Sequence, residues 1–444
     1  MVFNRKTISG GIFFKPAQWD SDSLPIENFP APPVVTIPLL QNKDAPARPV
    51  VKAGDYVAVG QMIGEATDSS GAPLHASVSG TVTKVARYPY VRDPSVVSVT
   101  IENDGKDEFV SPIPYDKPWT ESGADELIGK IRLSGIIDWS CGTGVPVHAR
   151  LAAVQGKRID TIIINALATE PYRTADLRLC IDQIEKVAVG IAICKRITGA
   201  SKCVVIAGGK TPKILQALSV LPAGIRPDGF SPVRIPKAKY PQHEERFVVR
   251  ACSGVDCVVI GAAAVAALRD AIVELIPNYE LAVTVAGPAI GSPKHLRQVR
   301  LGTPVGRLLE ACGTDFAKMK KLVAGGPMTG TAVQDLETPV TKATDALLAL
   351  DKSFYGHQQY PCYGCRRCVA VCPCRLEPSR LAELAQSASI TGMDGTALTA
   401  AELDERGIME CIECGCCAYV CPSKINLVHY LSFGKWLVGE QKRI

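Results

Sequence analysis

The chain reads as multidomain, α/β and α+β, ending in a small helical domain organised by cysteine. Three observations predict this. Its 444 residues exceed what one ordinary hydrophobic core holds, so about three domains are expected. The Ile-rich stretch 159–165 and the apolar run 203–207 are of the kind that form strands buried on both faces of a parallel sheet. Residues 362–422 carry one cysteine pattern twice.

The chain is 47% hydrophobic and 21% charged, an ordinary globular balance that argues against disorder. The net charge of +5 is mild and diffuse. No Lys/Arg block with interleaved aromatics appears, so no nucleic-acid partner is expected. No run approaches the roughly 20 apolar residues of a membrane span; the best, 257–268, stops at Arg269-Asp270. Gly10-Gly11 and Lys15 interrupt any leader-like segment.

In order, 1–30 is rich in turn formers. A strand follows at 34–39. Short β-segments broken by glycine run over 51–85 and include His75-Ala-Ser-Val-Ser-Gly-Thr-Val82. They resemble the barrel-sandwich hammerhead of lipoyl and biotinyl domains. The turn at Ala76-Ser77 has no lysine to modify, so a structural β-domain is expected, with His75 a turn residue. After a Pro-rich linker at 111–118, helical spacing of apolar residues predicts a helix over 121–133. A loop with Gly142 and Gly144 precedes the next helix. The strand at 159–165 empties into Glu170-Pro-Tyr-Arg-Thr-Ala-Asp176, and the strand at 203–207 into Gly208-Gly209-Lys210. Loops at the carboxyl ends of parallel strands are where such sheets take ligands. Gly208-Gly209-Lys210 lacks the spacing of a P-loop and reads as a plain turn. Residues 281–325 read as a small β-grasp-type module, Gly325-Gly-Pro-Met-Thr-Gly330 as a structural corner, and 331–360 as a linker.

The cysteine runs are Cys362-x2-Cys365-x2-Cys368-x3-Cys372-Pro373 and Cys411-x2-Cys414-x2-Cys417-x3-Cys421-Pro422. This is bacterial ferredoxin spacing. Three thiolates on one tight turn grip three irons of a cubane, and the fourth typically reaches the other cluster. The expected ligand sets are Cys362, Cys365, Cys368 and Cys421 for cluster one, and Cys411, Cys414, Cys417 and Cys372 for cluster two. A zinc ribbon uses two CxxC pairs rather than two four-Cys runs, and a disulfide scaffold belongs to short secreted chains. Cys374 and Cys416 read as small apolar residues. Cys180, Cys203 and Cys312, scattered singly among the 17 cysteines, read as reduced core thiols. Helices are expected at 378–387 and, packing back, at 425–437.

With these parts in order, the chain resembles, over its full length, the C subunit of Rnf complexes, which are membrane-bound ion-pumping ferredoxin oxidoreductases. The resemblance rests on 75–82, Asn165…Asp176, Arg300-Leu-Gly-Thr-Pro-Val305, 325–330 and the two Cys runs. Such subunits are similar to the flavin subunit of respiratory complex I. The resemblance implies a hammerhead over 1–110 and a Rossmann-like FMN/NADH domain over 119–275. It further implies a β-grasp-type (SLBB-like) module over 276–330, then a linker and a ferredoxin-like two-cluster helical domain over 331–444. If the flavin site is retained, Gly142, Gly144, Arg150, Asn165, Glu170, Tyr172 and Asp176 would hold FMN or NADH.

The chain departs from the family's flavin loop, roughly GLGGAGFPTxxK. Trp139-Ser-Cys141 replaces small residues, Val145 and Val147 replace Phe and Thr, and Arg150 replaces Lys. In the second loop Ala168 replaces an acid, and Leu167 stands where backbone would approach phosphate. The expectation is therefore a degenerate flavin site in a peripheral, ferredoxin-linked relay on the cytoplasmic side of the membrane. Its partners would be the membrane subunits of the complex and a ferredoxin or ferredoxin-like subunit. The alternatives are an FMN-containing, NADH-oxidising subunit of the same complex, or a soluble flavin/iron–sulfur reductase of the cobalamin type.

Overall fold

The computed structural model describes residues 8–14, 25–42, 45–90, 95–111, 117–140, 142, 144–208, 211–221, 229–235, 238–251, 256–291, 294–352, 358–391 and 393–441. They fall into two compact units, one from 25–235 with 243–352 and the other from 8–14, 238–242 and 358–441.

The first unit begins with two small sheets. Val34–Pro38, Val96–Asn103, Gly80–Tyr88 and Tyr56–Val57 form one in that spatial order, and Arg48–Pro49, Met62–Glu65 and Leu74–His75 the other. Val35, Ile37, Ile63, Leu74, Val82, Val99 and Ile101 from both sheets share one core. His75 is a correction to the sequence reading. It ends a strand rather than a turn, and burial pushes its imidazole down to about 3.

A parallel sheet follows, ordered Phe230–Arg234, Lys202–Ala207, Thr161–Asn165, Cys257–Gly261. All five residues of Thr161–Asn165 are buried, as a strand covered by helices on both faces requires. After the far-edge strand the chain returns to the other side of Thr161–Asn165. The point where strand order reverses therefore lies at the carboxyl ends of Thr161–Asn165 and Cys257–Gly261. Val187 and Ile191 of helix Ile184–Thr198, and Val265 and Leu268 of helix Ala262–Val273, pack into the same core.

The third sheet corrects the linker reading. Among the described residues its six strands run Ile26–Asn28, Lys294–Arg300, Glu280–Ala286, Ala346–Leu350, Lys321–Ala324, Thr331–Val333. The stretch expected as linker thus supplies an inner strand, Ala346–Leu350, paired on both sides. Helix Val305–Ala311 buries Val305, Leu308 and Leu309 in the core beneath this sheet.

In the second unit, helices Pro378–Thr391, Met393–Glu405 and Leu427–Gln441 pack around Leu381, Ala385, Leu403, Leu427 and Leu431. The short helices Arg367–Val371 and Cys416–Tyr419 follow the ligand turns of the two Cys runs. Among the described residues no helix is long and apolar enough to cross a membrane.

Candidate functional site

The two Cys runs fold alike. Left-handed backbone occurs at Gly364, Arg366 and Arg375 around the first, and at Glu413, Gly415 and Lys424 at the corresponding positions of the second. Left-handed residues other than glycine are uncommon. Their repetition here shows that the two runs take the same local backbone path.

Cys372 of the first run meets Cys411, Cys414 and Cys417 of the second around one pocket, closed by Leu376, Ile412, Val428 and Leu431. Backbone amides point at sulfur, Leu376 N–H to Cys372 Sγ at 3.3 Å and Glu413 N–H to Cys411 Sγ at 3.4 Å. Burial pushes the Cys411 thiol up to about 12 and raises Cys417 and Cys372. Bare thiolates are thus disfavoured there, and a cationic iron centre would supply the charge that ionises them.

Among the described residues no three His, Cys, Asp or Glu side chains gather for a single metal ion. In a cubane each thiolate binds its own iron, so the sulfurs need not converge on one point. This donor set fits a cubane cluster. Cys416 is fully buried and lines the same pocket with Cys374. Of the other predicted set, Cys362 and Cys365 are exposed, while Cys368 and Cys421 are buried in the core of the unit.

In the first unit, the residues expected around a flavin are occupied with one another. Asp138, buried, accepts Ser140 N–H and Gly261 N–H, both at 3.0 Å, at the strand-order switch. Arg150 lies 3.9 Å from Asp138 and 2.6 Å from Glu245. The Trp139 indole covers Gly144 so closely that an added Cβ would overlap the ring. Asn165 donates to the His243 carbonyl at 2.8 Å. The His243 ring lies 2.6 Å from Thr169 Oγ1, and burial pushes it down to about 3. Burial raises Glu244 to about 7, and its carboxylate faces Gly142. Glu170 turns away into 326–330. Tyr172 has φ +67° and packs against Ala286, Val323 and Leu348. Asp176 accepts the Ala263 N–H at 2.7 Å, near the start of helix Ala262–Val273.

What remains at the strand-end crevice, between Ser140, Asn165, Leu167, Glu170, Asp176 and His243, is a cavity of about 30 Å3. Beside it lies a larger cleft of about 390 Å3, lined among the described residues by six carboxylates (Asp138, Asp176, Asp270, Glu274, Glu280, Asp345) against three cations (Lys186, Arg269, Lys342). That balance repels a phosphate. At the turn from Cys257–Gly261 into helix Ala262–Val273, where backbone amides would meet one, Gly261 N–H already serves Asp138 and Ala263 N–H already serves Asp176. Among the described residues, the crevice of about 30 Å3 is too small for a flavin mononucleotide, whereas the cleft of about 390 Å3 is of ligand size but lined mainly by acids. Cys141, Gly209 and Lys210 lie outside the described residues.

Sequence reasoning missed Asp138, His243, Glu244, Lys342 and Asp345. Asp138 directly follows the buried pair Ile136-Ile137, and a lone acid at a strand end was a usable signal. The other four act through contacts between distant segments.

Residues 6–106 match the family model of the RnfC barrel sandwich hybrid domain. Residues 131–285 match that of the Nuo51 FMN-binding domain, and 361–426 that of the 4Fe-4S dicluster domain. The chain is 33% identical over 393 residues to the C subunit of the proton-translocating ferredoxin:NAD(+) oxidoreductase complex of Clostridium ljungdahlii, covering 86% of this chain and 85% of that one. It is 31% identical to the C subunit of the Na(+)-translocating ferredoxin:NAD(+) oxidoreductase complex of Acetobacterium woodii, covering 86% and 87%. It is 30% identical to the C subunit of the ion-translocating oxidoreductase complex of Rhodobacter capsulatus, covering 84% and 74%. A barrel-sandwich domain, a domain of the Nuo51 FMN-binding kind and a 4Fe–4S dicluster domain thus stand in one chain, an oxidoreductase subunit by its relatives. The chain belongs to the family of C subunits of Rnf-type ion-translocating oxidoreductase complexes.

Proposed function

We propose that this chain is the peripheral electron-transfer subunit of a membrane-bound Rnf-type complex, on the cytoplasmic side, and is held there by membrane subunits. It relays single electrons between a ferredoxin or ferredoxin-like subunit and the rest of the complex. Cys362, Cys365, Cys368 and Cys421 hold one [4Fe–4S] cluster, and Cys411, Cys414, Cys417 and Cys372 the other. The six-stranded sheet with helix Val305–Ala311 serves as a β-grasp-type support.

The observation that carries this reading is the meeting of Cys372 with Cys411, Cys414 and Cys417 around one apolar pocket. When bound, the clusters supply one-electron redox chemistry at fixed positions. The chain's own residues fix those positions. Pro373 and Pro422 end the ligand loops with a set φ, the Leu376 and Glu413 amides orient sulfur, and Leu376, Val428 and Leu431 exclude water.

The ferredoxin-linked rather than NADH-linked reading is supported by the small strand-end crevice and by the acidic cleft beside it. The test is anaerobic purification with iron and flavin analysis and reduction trials. About eight irons per chain, no flavin, bleaching by reduced ferredoxin and none by NADH are expected. One flavin per chain with rapid bleaching by NADH would overturn the NADH-independent reading.

A further inference from the structure

The two Cys runs share spacing but not surroundings, and the difference is one of charge and exposure within the second unit. Between its ligands the first run has Tyr363-Gly364 and Arg366-Arg367, where the second has Ile412-Glu413 and Gly415-Cys416. Residues 358–367 are exposed throughout, Cys362 and Cys365 included. Tyr360 and Tyr363 are 55% and 66% exposed. Lys424 joins this side. Ser423 accepts the Tyr360 N–H on its carbonyl and donates its hydroxyl to the Pro361 carbonyl, both at 3.0 Å, which sets exposed Lys424 next to the 360–361 backbone.

Among the described residues, the ion pairs of this unit engage Arg380, Arg406 and Lys435. Arg366, Arg367 and Lys424 have no carboxylate partner among the described residues. The second run is the opposite case. It is lined by apolar side chains, with Cys414 and Cys417 buried and Cys411 half-buried, and its one charge, Glu413, is paired to Lys435 at 2.5 Å.

We infer that the turn Cys362–Cys368, with Tyr360, Tyr363, Arg366, Arg367 and Lys424, is the face on which an acidic iron–sulfur carrier protein docks to exchange electrons with this chain. Electron tunnelling falls steeply with distance, so exchange takes place where a partner can approach thiolate and iron closely. Cys362 and Cys365 are exposed and offer that approach, while none of the thiols of the second run is exposed. Unpaired cations around the turn steer a partner of negative surface potential. Exposed tyrosine and arginine are the residue types that anchor small transient interfaces. In the step itself one electron would leave the carrier, which is oxidised by one, and reduce by one the [4Fe–4S] cluster that the thiolates of the first Cys run would hold. No bond forms or breaks and no proton moves.

This inference rests on the relay reading above and adds the place and charge of the partner. The test uses the full, cluster-loaded chain and an oxidised clostridial-type ferredoxin as the acidic probe, with binding followed by titration at low and at high salt. The double variant Arg366→Glu/Arg367→Glu should bind at least about tenfold more weakly at low salt and lose most of the salt dependence. Arg366→Lys/Arg367→Lys should keep both. Unchanged iron content and visible spectrum in each variant show that the clusters and fold are intact; Tyr363→Ser provides a second, uncharged probe of the same face if the double variant loses iron. Binding that survives charge reversal with intact clusters overturns the docking face alone. No binding by the unsubstituted chain overturns the ferredoxin link as well.

Discussion

The Glu170 carboxylate rests directly on Gly326, where an added Cβ would overlap Glu170 Oε1. Met328 N–H and Thr329 N–H donate to Oε1 at 2.8 and 3.0 Å, and Thr329 Oγ1 donates to Oε2 at 2.9 Å. Arg173 joins Glu170 at 3.2 Å and Asp345 at 2.6 Å. The corner at 325–330 is therefore a small anion nest filled by the protein's own acid. Gly326→Ala should expel that carboxylate from its donors and destabilise the first unit by about 2–4 kcal/mol. Thermal denaturation followed by circular dichroism should show the loss, while the iron–sulfur absorbance survives to a higher temperature.

Asp138 plays the same part at the strand-order switch, where Ser140 N–H and Gly261 N–H both end on its buried carboxylate. Asp138→Ala takes the acceptor from the buried Gly261 amide and the half-buried Ser140 amide, and removes a carboxylate from beside Arg150. A loss of about 2–3 kcal/mol is expected. Asp138→Asn keeps one acceptor and should lose less. Urea titration of the three proteins side by side checks the order.

How much of this was legible depends on the range of the contacts involved. The Cys ligand spacing and the buried strand Thr161–Asn165 are local facts, written in residue type and period. The crowding at the strand-end loops is legible in part, because Trp139, which covers Gly144, and Leu167, which lines the small crevice, are large residues. Two features could not be read. Ala346–Leu350 pairs with Glu280–Ala286 and Lys321–Ala324, and nothing local separates that strand from an apolar linker. The His243 ring meets Thr169 across a long stretch of sequence, so its role belongs to the fold and not to its neighbours.

Lys342 is 6% exposed, and its ammonium donates to the Gly135 carbonyl at 2.6 Å. Burial pushes it down from 10.5 to about 7. Between about pH 7 and 10.5 the unfolded chain holds a proton that the folded chain does not, so this group makes stability rise with pH across that window. At or below about pH 7 the folded chain carries the full penalty of a buried charge. Lys342→Met removes the penalty at the expense of one hydrogen bond worth about 1 kcal/mol. The variant should therefore melt above the parent near pH 6–7, with the gap closing or reversing near pH 10. Melting temperatures across that range decide it. A gap that widens with pH would mean that Lys342 is held as an ammonium by something stronger than the Gly135 carbonyl.

Because Cys372 meets Cys411, Cys414 and Cys417, removing it should damage the site formed mainly by the other run. Cys372→Ala should lower the iron content from about eight to about four per chain and remove the signal of the less exposed cluster. Cys362→Ala should also cost about four irons, but should remove the signal of the exposed one. Paramagnetic resonance of the reduced variants separates the two, since the exposed cluster broadens first with a water-soluble relaxing agent. If Cys372→Ala instead removes the exposed signal, each run closes its own site. The pocket that joins Cys372 to the second run would then be a packing arrangement rather than a ligand set.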